Sequence, residues 1–464
     1  MLRSALLILS GNAVASLLLL MRNLLVARMI PVADYGVAST FAVAMAVVEM
    51  ASALGLQQQI VQAKEGDDPH FQAALQGFQV LRGVFSGLVL LLIAGPMAAF
   101  MGIAQVTWAY RLLALVPVLN ALTHFDIHRL NRQMVFWPML LTGALPALIS
   151  VLVLWPLAHW FGDWQVMLYS ILVQSLLGTM VSHLLARRPY RLVLDPAIMR
   201  ASLRFGWPLL ANAVLLFLVF NAERLIVGRE LGMVVLAEFS MGLTLTLTPT
   251  LVLAKSVQNF LLPQLSAAHD DETHFKRLSL LTVQLVLVMS LGFVLSVLLI
   301  GGPVAHLMLG PKYDALLPLL FGFAVQQAMR VLKAGPAIIA LALGQTGNAM
   351  IANLVRISVL PFCWYVAVTS GDVATILWLA TAAEIAGYLV AIWLVRDVLA
   401  LLRRSALLPH SVFALTLGAA MCWTASGTSP VLVAPWQAWT LTVLAMIAFL
   451  ATVSELRAYI RNRK

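Results

Sequence analysis

The chain has 464 residues, of which 62% are hydrophobic and only 10% charged, with a mean hydropathy of +0.95. A water-soluble domain of this length carries far more polar side chains, so a soluble enzyme or a soluble nucleic-acid-binding module is excluded as the main architecture. The formal net charge of +10 therefore has to be explained in a membrane.

Apolar runs between charged and turn-forming markers predict fourteen membrane-spanning helices. A helix of about twenty residues crosses the hydrocarbon while closing its own backbone hydrogen bonds. The first six spans fall near 5–27, 37–62, 75–99, 107–125, 136–156 and 165–186. The next six fall near 205–228, 233–261, 278–300, 315–343, 347–368 and 373–395, and the last two near 411–427 and 436–454. Arg3, the apolar run after it and Ala13-Val14-Ala15 imitate a cleavable leader, but Leu17 to Leu20 carry the run past that site and favour a first span. The long tenth segment carries Gly335-Pro336, a place where it can break.

Charge gives the orientation. With the amino terminus in the cytoplasm, twenty Lys and Arg fall on the inner side, Arg187, Arg188, Arg191, Arg330 and Lys333 among them. Only three, Arg28, Arg229 and Lys312, fall outside. That bias places both termini in the cytoplasm of a multi-pass inner-membrane protein. Ten acids on the inner side leave an excess equal to the net charge, so orientation and attraction to anionic membrane lipids account for the basic pI and no nucleic-acid partner is implied.

The widest connection, Arg187 to Arg204 with Pro189 and Pro196, divides the chain into a six-helix lobe over residues 1–190 and a second over 191–400. Residues 401–464 hold the two extra spans and a basic tail. Asn12-Ala13-Val14 before Leu24-Leu25-Val26-Ala27-Arg28 is echoed by Asn212-Ala213-Val214 before Leu225-Ile226-Val227-Gly228-Arg229, as an internal duplication would produce.

Ten charged residues inside the predicted spans are singled out, namely Arg22, Glu49, Arg82, Arg111, Glu223, Arg224, Glu238, Lys255, Arg356 and Glu384, while Arg330 and Lys333 in the inner half of the tenth span are counted with the inner-side bases. Each is costly at the bilayer centre unless it snorkels, pairs or faces water. Arg22, Arg111, Glu223, Arg224 and Glu238 fall near outer ends and Arg82 near an inner end, where snorkelling is open to them. Glu49, Lys255, Arg356 and Glu384 sit deeper. Thr244, Thr248, Lys255 and Asn259 share one helical face, and Ala38, Ala42, Ala46, Glu49 and Ala53 form a small-residue stripe, so Glu49 and Lys255 either lock helices together or face a wet cavity. A cavity with more bases than acids suits an anionic head group such as a phosphate or pyrophosphate. His124 and His128, with Asp126 between them, have a spacing that can bind metal but read better as a polar turn at the membrane edge. Cys363 and Cys422 read as small hydrophobes. No phosphate-cradling loop, nucleophile elbow or zinc signature is present, so neither ATP-driven transport nor a cofactor is expected.

Certain local patterns are family-specific. Arg22 and Arg28 close the first span, Pro31-Val32-Ala33-Asp34-Tyr35-Gly36 follows, and the second helix ends Gly55-Leu56-Gln57-Gln58-Gln59-Ile60-Val61-Gln62. Phe205-Gly206-Trp207-Pro208, Glu223-Arg224-Leu225-Ile226-Val227-Gly228 and Leu261-Leu262-Pro263-Gln264-Leu265-Ser266 mark the second half. Over about residues 1 to 400 the chain thereby resembles the polysaccharide-transporter family of bacterial flippases. The resemblance implies the all-α fold of the multidrug, oligosaccharidyl-lipid and polysaccharide exporters: two six-helix lobes around a central cavity, here with two additional helices that would shelter a lipid tail. It implies a polyprenyl-pyrophosphate-linked sugar as cargo, for O-antigen or exopolysaccharide assembly, with a polysaccharide polymerase and chain-length machinery as partners. Arg22 and Arg224 match the first-helix arginines of the two lobes; Lys255, Arg356, Arg82 and Arg28 are implied as further substrate contacts by placement alone.

The leading expectation is a flippase working by alternating access, driven by a downhill proton or sodium ion at Glu49 and Glu384 or by the membrane potential. An ion-coupled multidrug exporter or a peptidoglycan-precursor flippase of the same fold is the alternative. Bases outnumber acids six to four among the ten charges singled out, which disfavours a cavity for cationic drugs. A membrane polymerase or ligase is a weaker fit, because no predicted outer loop is large enough to carry a catalytic site.

Overall fold

The computed structural model describes residues 2–51, 54–345, 347–399, 404–425 and 436–461, and among them every regular element is a helix. Packing divides the chain into two compact units, Met1–Ala237 and Glu238–Lys464.

The first unit begins with α1 (Leu2–Met29), α2 (Val32–Ala51), α3 (Leu56–Gln62) and α4 (Pro69–Phe100). The second span, expected to run to residue 62, is described as a helix as far as Ala51, residues 52 and 53 lie outside the described residues, and Gly55, with φ 67°, starts α3 as a separate short helix. Asp68 caps α4 by accepting the amides of His70 and Phe71, and Pro69 occupies the first turn, where a missing N–H costs nothing. Next come α5 (Thr107–Leu113), α6 (Leu115–Ala121), α7 (Asp126–Arg132), α8 (Trp137–Leu152), α9 (Leu154–Trp160) and α10 (Gln165–Leu185). An extended linker then leads into α11 (Pro196–Ala267). Asp195 caps α11, and its hydrogen bonds from His70 and from the Ile198 and Ala197 amides hold its carboxyl below the ordinary value.

The apolar part of α11, 58 residues long, cannot be one span. Straight, it would run about 87 Å, almost three times the roughly 30 Å of hydrocarbon. Gly232 interrupts it with φ 85° and ψ 177°, a conformation open in practice only to glycine, so the two expected spans on either side of residue 232 are distinct helices.

The family-like motifs earn their residue types here. Ser202 donates to the Gln59 side-chain oxygen at 2.7 Å, and a methyl added at Gly206 would sit 2.5 Å from the Leu54 carbonyl oxygen, so the motif closing the second span and the one opening the seventh touch each other. Gly36 is tighter still. A methyl there would lie 1.9 Å from the Met233 carbonyl oxygen. Gly36→Val should lower stability by about 1–3 kcal/mol or more, since backbone rather than a side chain must move. The midpoint of thermal unfolding in detergent reads this, and an unchanged midpoint would contradict the packing.

The second unit continues from the later part of α11 with α12 (Glu272–Ser296), α13 (Gly302–Leu309), α14 (Leu317–Ala342), α15 (Gly347–Ile357), α16 (Leu360–Thr369) and α17 (Val373–Leu394). After the one-turn α18 (Arg396–Leu399) come α19 (Arg404–Ala425), α20 (Trp436–Thr452) and α21 (Ser454–Arg461). The break allowed for at Gly335-Pro336 does not occur: α14 runs through Pro336 to Ala342. Its core joins α12, α14, α17 and the C-terminal helices through Leu287, Val325, Leu332, Ile392, Phe413 and Phe449. Gln284 staples the C-terminal pair by donating to the Ser405 carbonyl and accepting the Glu455 and Leu456 amides.

Among the described residues nine helices are long and apolar enough to cross a membrane, or eleven if two bent pairs, 104–132 (46°) and 436–461 (79°), each cross once. The expected count of fourteen is not confirmed among the described residues, where the two segments joined at Gly232 register as one. A multi-pass membrane protein is nevertheless the only setting that suits so many long apolar helices.

Candidate functional site

Two groups of charged side chains form inside apolar helices, one in each unit. In the first unit, Arg22 on α1 is 9% exposed; one guanidinium nitrogen donates to the Gln174 side chain on α10, and Nε meets no protein acceptor. Arg224, on the first part of α11, is half-buried. Both guanidiniums act electrostatically on the Tyr35 hydroxyl at the start of α2, so the two arginines singled out from the sequence share one neighbourhood. A hydrogen bond between Thr40 and Tyr110, and edge-on contacts of Phe41 with Tyr110 and Trp164 at 5.5 and 5.8 Å, fix α2 beside them. A buried guanidinium with an unused donor is costly in apolar surroundings, and an anionic ligand removes that cost.

The second group is more closely knit. Glu384 on α17 is fully buried, and three bases converge on it. Oε1 accepts Arg330 Nε at 2.6 Å and Arg356 Nε at 3.0 Å, while Oε2 accepts Lys333 Nζ at 2.9 Å. Gly387 lets the helices come close enough: a methyl there would meet the Ala352 carbonyl oxygen at 3.0 Å. Lys333 also reaches Asn353 Oδ1 at 3.3 Å, and Arg330 reaches Gln327 Oε1 at 3.2 Å. Three bases against one acid leave two positive charges beside a cavity of about 190 Å³ lined by Arg330, Lys333, Asn348 and Asn353. The cluster ties α14, α15 and α17 together and presents surplus positive charge and amide groups to that cavity, which suits a ligand rich in anionic oxygens. In this arrangement Glu384 is a counter-ion, and a role in ion coupling requires one of the bases to leave.

The remaining candidates stand apart. Arg28 is exposed at the end of α1, and Arg82 is half-buried on α4. Lys255 and Asn259 are exposed and Thr244 and Thr248 half-buried on the later part of α11. Those two hydroxyls donate back to the Ser240 and Thr244 carbonyls, which leaves Lys255 and Asn259 to supply the donors of that face. The Glu49 side chain lies outside the described residues. No three His, Cys, Asp or Glu side chains gather as a metal site among the described residues, and His128 is buried against the Phe125 ring.

Arg330 and Lys333 correct the sequence reading. Counted there with the inner-side bases, they are side chains of the α14 helix only 10% and 14% exposed, stabilised by a carboxylate from a helix some fifty positions later. Their separation of three residues on a helix that also carries Gln326 and Gln327 was the signal for a polar inward face. Tyr35 and Gln174 carried no such signal.

A family described as "Polysaccharide biosynthesis protein" matches residues 25–318. No curated protein matches the sequence. Among solved structures the chain is similar to the lipid II flippase MurJ in an inward closed conformation, with a TM-score of 0.67, 12% identity and coverage of 98% of this chain and 99% of that one. It is also similar to a multidrug resistance MATE family transporter of the MOP superfamily in its inward-facing conformation (TM-score 0.66, 14% identity, 83% and 95% covered). A MOP superfamily transporter from Pyrococcus furiosus, described as having a binding pocket of reverse polarity, gives a TM-score of 0.56 at 14% identity, with 86% and 95% covered. At these identities the likeness is one of fold. It is the fold of transporters and flippases of the MOP superfamily, and none of these three is an enzyme.

Proposed function

The chain belongs to the polysaccharide biosynthesis protein family, and on that premise we propose that it is a flippase carrying a polyprenyl-pyrophosphate-linked oligosaccharide from the cytoplasmic to the periplasmic leaflet, for O-antigen or exopolysaccharide synthesis. The observation that carries this reading is the excess of positive side chains held inside apolar helices: Arg22 and Arg224 around Tyr35, and the three bases around Glu384. Such groups bind a pyrophosphate, whereas a cavity for cationic drugs needs carboxylates. The likeness to a lipid II flippase over nearly the whole chain supports a lipid-linked sugar as cargo. Alternating access between two lobes, over 1–190 and 191–400, lets the sugar cross without meeting lipid while the polyprenyl tail stays in the bilayer. A proton or sodium gradient, with Glu49 as a coupling group, or the membrane potential drives the cycle; moving two negative charges is worth roughly 4.6 kcal/mol per 100 mV. In this reading the protein sits in the bacterial inner membrane with both termini cytoplasmic, and passes its product to a polymerase and its chain-length partner.

Deleting the chain tests the assignment. The deletion strain should lose its surface polysaccharide and accumulate the lipid-linked repeat unit, with unchanged susceptibility to cationic dyes. Intact polysaccharide together with dye hypersensitivity would instead identify a drug exporter.

A further inference from the structure

The helix α21 leaves α20 at a bend of 79°, with the fully buried Val453 at the corner. Val443, Leu444 and Ile447 on α20 are each more than half exposed, the surface a helix shows to lipid tails. Its 17 residues rise about 26 Å, close to the roughly 30 Å of hydrocarbon. The corner therefore falls at the membrane boundary, and α21 runs along that boundary rather than through it.

One face of α21 is spent on its own unit. Gln284 Oε1 accepts the Glu455 and Leu456 amides of its first turn at 3.0 and 3.1 Å, which satisfies donors that a helix start leaves open. Glu455 accepts Arg277 Nε at 2.9 Å, and the Tyr459 hydroxyl donates to Gln264 Oε1 at 3.3 Å. Leu456 and Tyr459 pack against the core of the second unit.

The other face is turned outward. Arg457, Ile460 and Arg461 are exposed, Ile460 at 54%. At about 100° per residue the three fall within about 100° of arc, with the two arginines one turn apart and the isoleucine between them and the packed face. The single acid of α21, Glu455, is committed to Arg277, and neither Arg457 nor Arg461 forms an ion pair with a described residue. The helix thus carries two uncompensated positive charges beside an exposed apolar side chain, at the level where a bilayer offers phosphates next to acyl chains. Arg463 and Lys464, outside the described residues, add two further bases in the sequence.

We propose that this face of α21 binds anionic phospholipid head groups, with Ile460 entering the acyl boundary and Arg457 and Arg461 on the phosphates, and so anchors the C-terminal end of the second unit in the interface. Guanidiniums pair with phosphate oxygens in a two-point geometry, and their long stems let the charge reach the head groups while the helix lies lower. The contact follows from the membrane architecture alone and is independent of what the chain carries.

Hydrogen exchange over residues 454–461 tests this locally, in the purified full chain reconstituted into nanodiscs of phosphatidylcholine alone or of phosphatidylcholine with phosphatidylglycerol. The anionic lipid should slow exchange in this helix about tenfold or more, since a ligand that binds only the docked helix suppresses its opening. The Arg457→Gln, Arg461→Gln double variant should lose that slowing, and Ile460→Ser should lose a large part of it. Arg457→Lys, Arg461→Lys keeps the charges and should keep most of it, which separates lost binding from a helix that no longer docks. Arg200→Gln, Arg204→Gln removes two exposed bases of the same spacing from α11 and should leave the slowing intact. The proposal is overturned if phosphatidylglycerol does not slow exchange at 454–461, if the glutamine double variant or Ile460→Ser responds like the unaltered chain, or if the change at Arg200 and Arg204 abolishes the response equally.

Discussion

Replacing Glu384 with glutamine should cost about 3–5 kcal/mol of stability, the usual consequence of removing one partner from a buried ionic group. Three bases reach that carboxylate at 2.6–3.0 Å from two other helices, and the carboxylate is fully buried. Glutamine keeps the shape and one acceptor oxygen but leaves three positive charges facing each other in apolar surroundings. Removing one base has a smaller effect: Lys333→Met leaves Glu384 with two guanidiniums and lowers the local repulsion. The ordering Glu384→Gln far below Lys333→Met, in unfolding midpoint and in the amount of folded protein recovered from membranes, is the expected result. Equal midpoints for Glu384→Gln and the unaltered chain would mean that the cluster does not hold α14, α15 and α17 together.

The second large effect belongs to Arg22 and Arg224. Arg22→Ala and Arg224→Ala should each remove surface polysaccharide while protein levels stay normal, because the proposed function assigns these guanidiniums to cargo binding and they lie outside the ion cluster around Glu384. Losing a charge-assisted hydrogen bond of about 1.5–3 kcal/mol slows transport by roughly ten- to a hundredfold. Lysine at either position keeps the charge but loses the planar fork, so partial activity is expected. Wild-type polysaccharide in both alanine variants would remove these residues from the cargo path.

Much of the architecture was legible in the sequence because hydrophobic length and charge asymmetry report directly on a bilayer. The motifs at Pro31–Gly36, Gly55–Gln62 and Phe205–Pro208 were legible as signatures, but their physical reason was not: Gly36 and Gly206 are bare because backbone from elsewhere in the chain occupies the space a methyl would need. Helix breaks were harder to read. Gly232 ends one helix and starts another within an apolar run, whereas Gly335-Pro336, a stronger local signal, leaves α14 continuous because the segment around it is packed against α12 and α17. The candidate site was half legible. Arg356 and Glu384 stood out as deep charges, yet their pairing depends on α15 and α17 meeting at Gly387, and Arg330 and Lys333, in the inner half of the tenth predicted span, read as inner-side bases until the carboxylate that neutralises them is placed. A long-range ion pair leaves no local periodicity in the chain.

The central claim is that these embedded positive side chains select a pyrophosphate head group for passage across the bilayer. Its most direct test is a flipping assay in proteoliposomes under an imposed membrane potential, comparing a fluorescent polyprenyl-pyrophosphate oligosaccharide with the same polyprenyl oligosaccharide joined through an uncharged linker. The unaltered chain should speed translocation of the pyrophosphate lipid only, and the Arg22→Ala, Arg224→Ala double variant should reduce that rate to the level of empty vesicles. Equal rates for the charged and uncharged lipids, or a double variant as fast as the unaltered chain, would contradict the account.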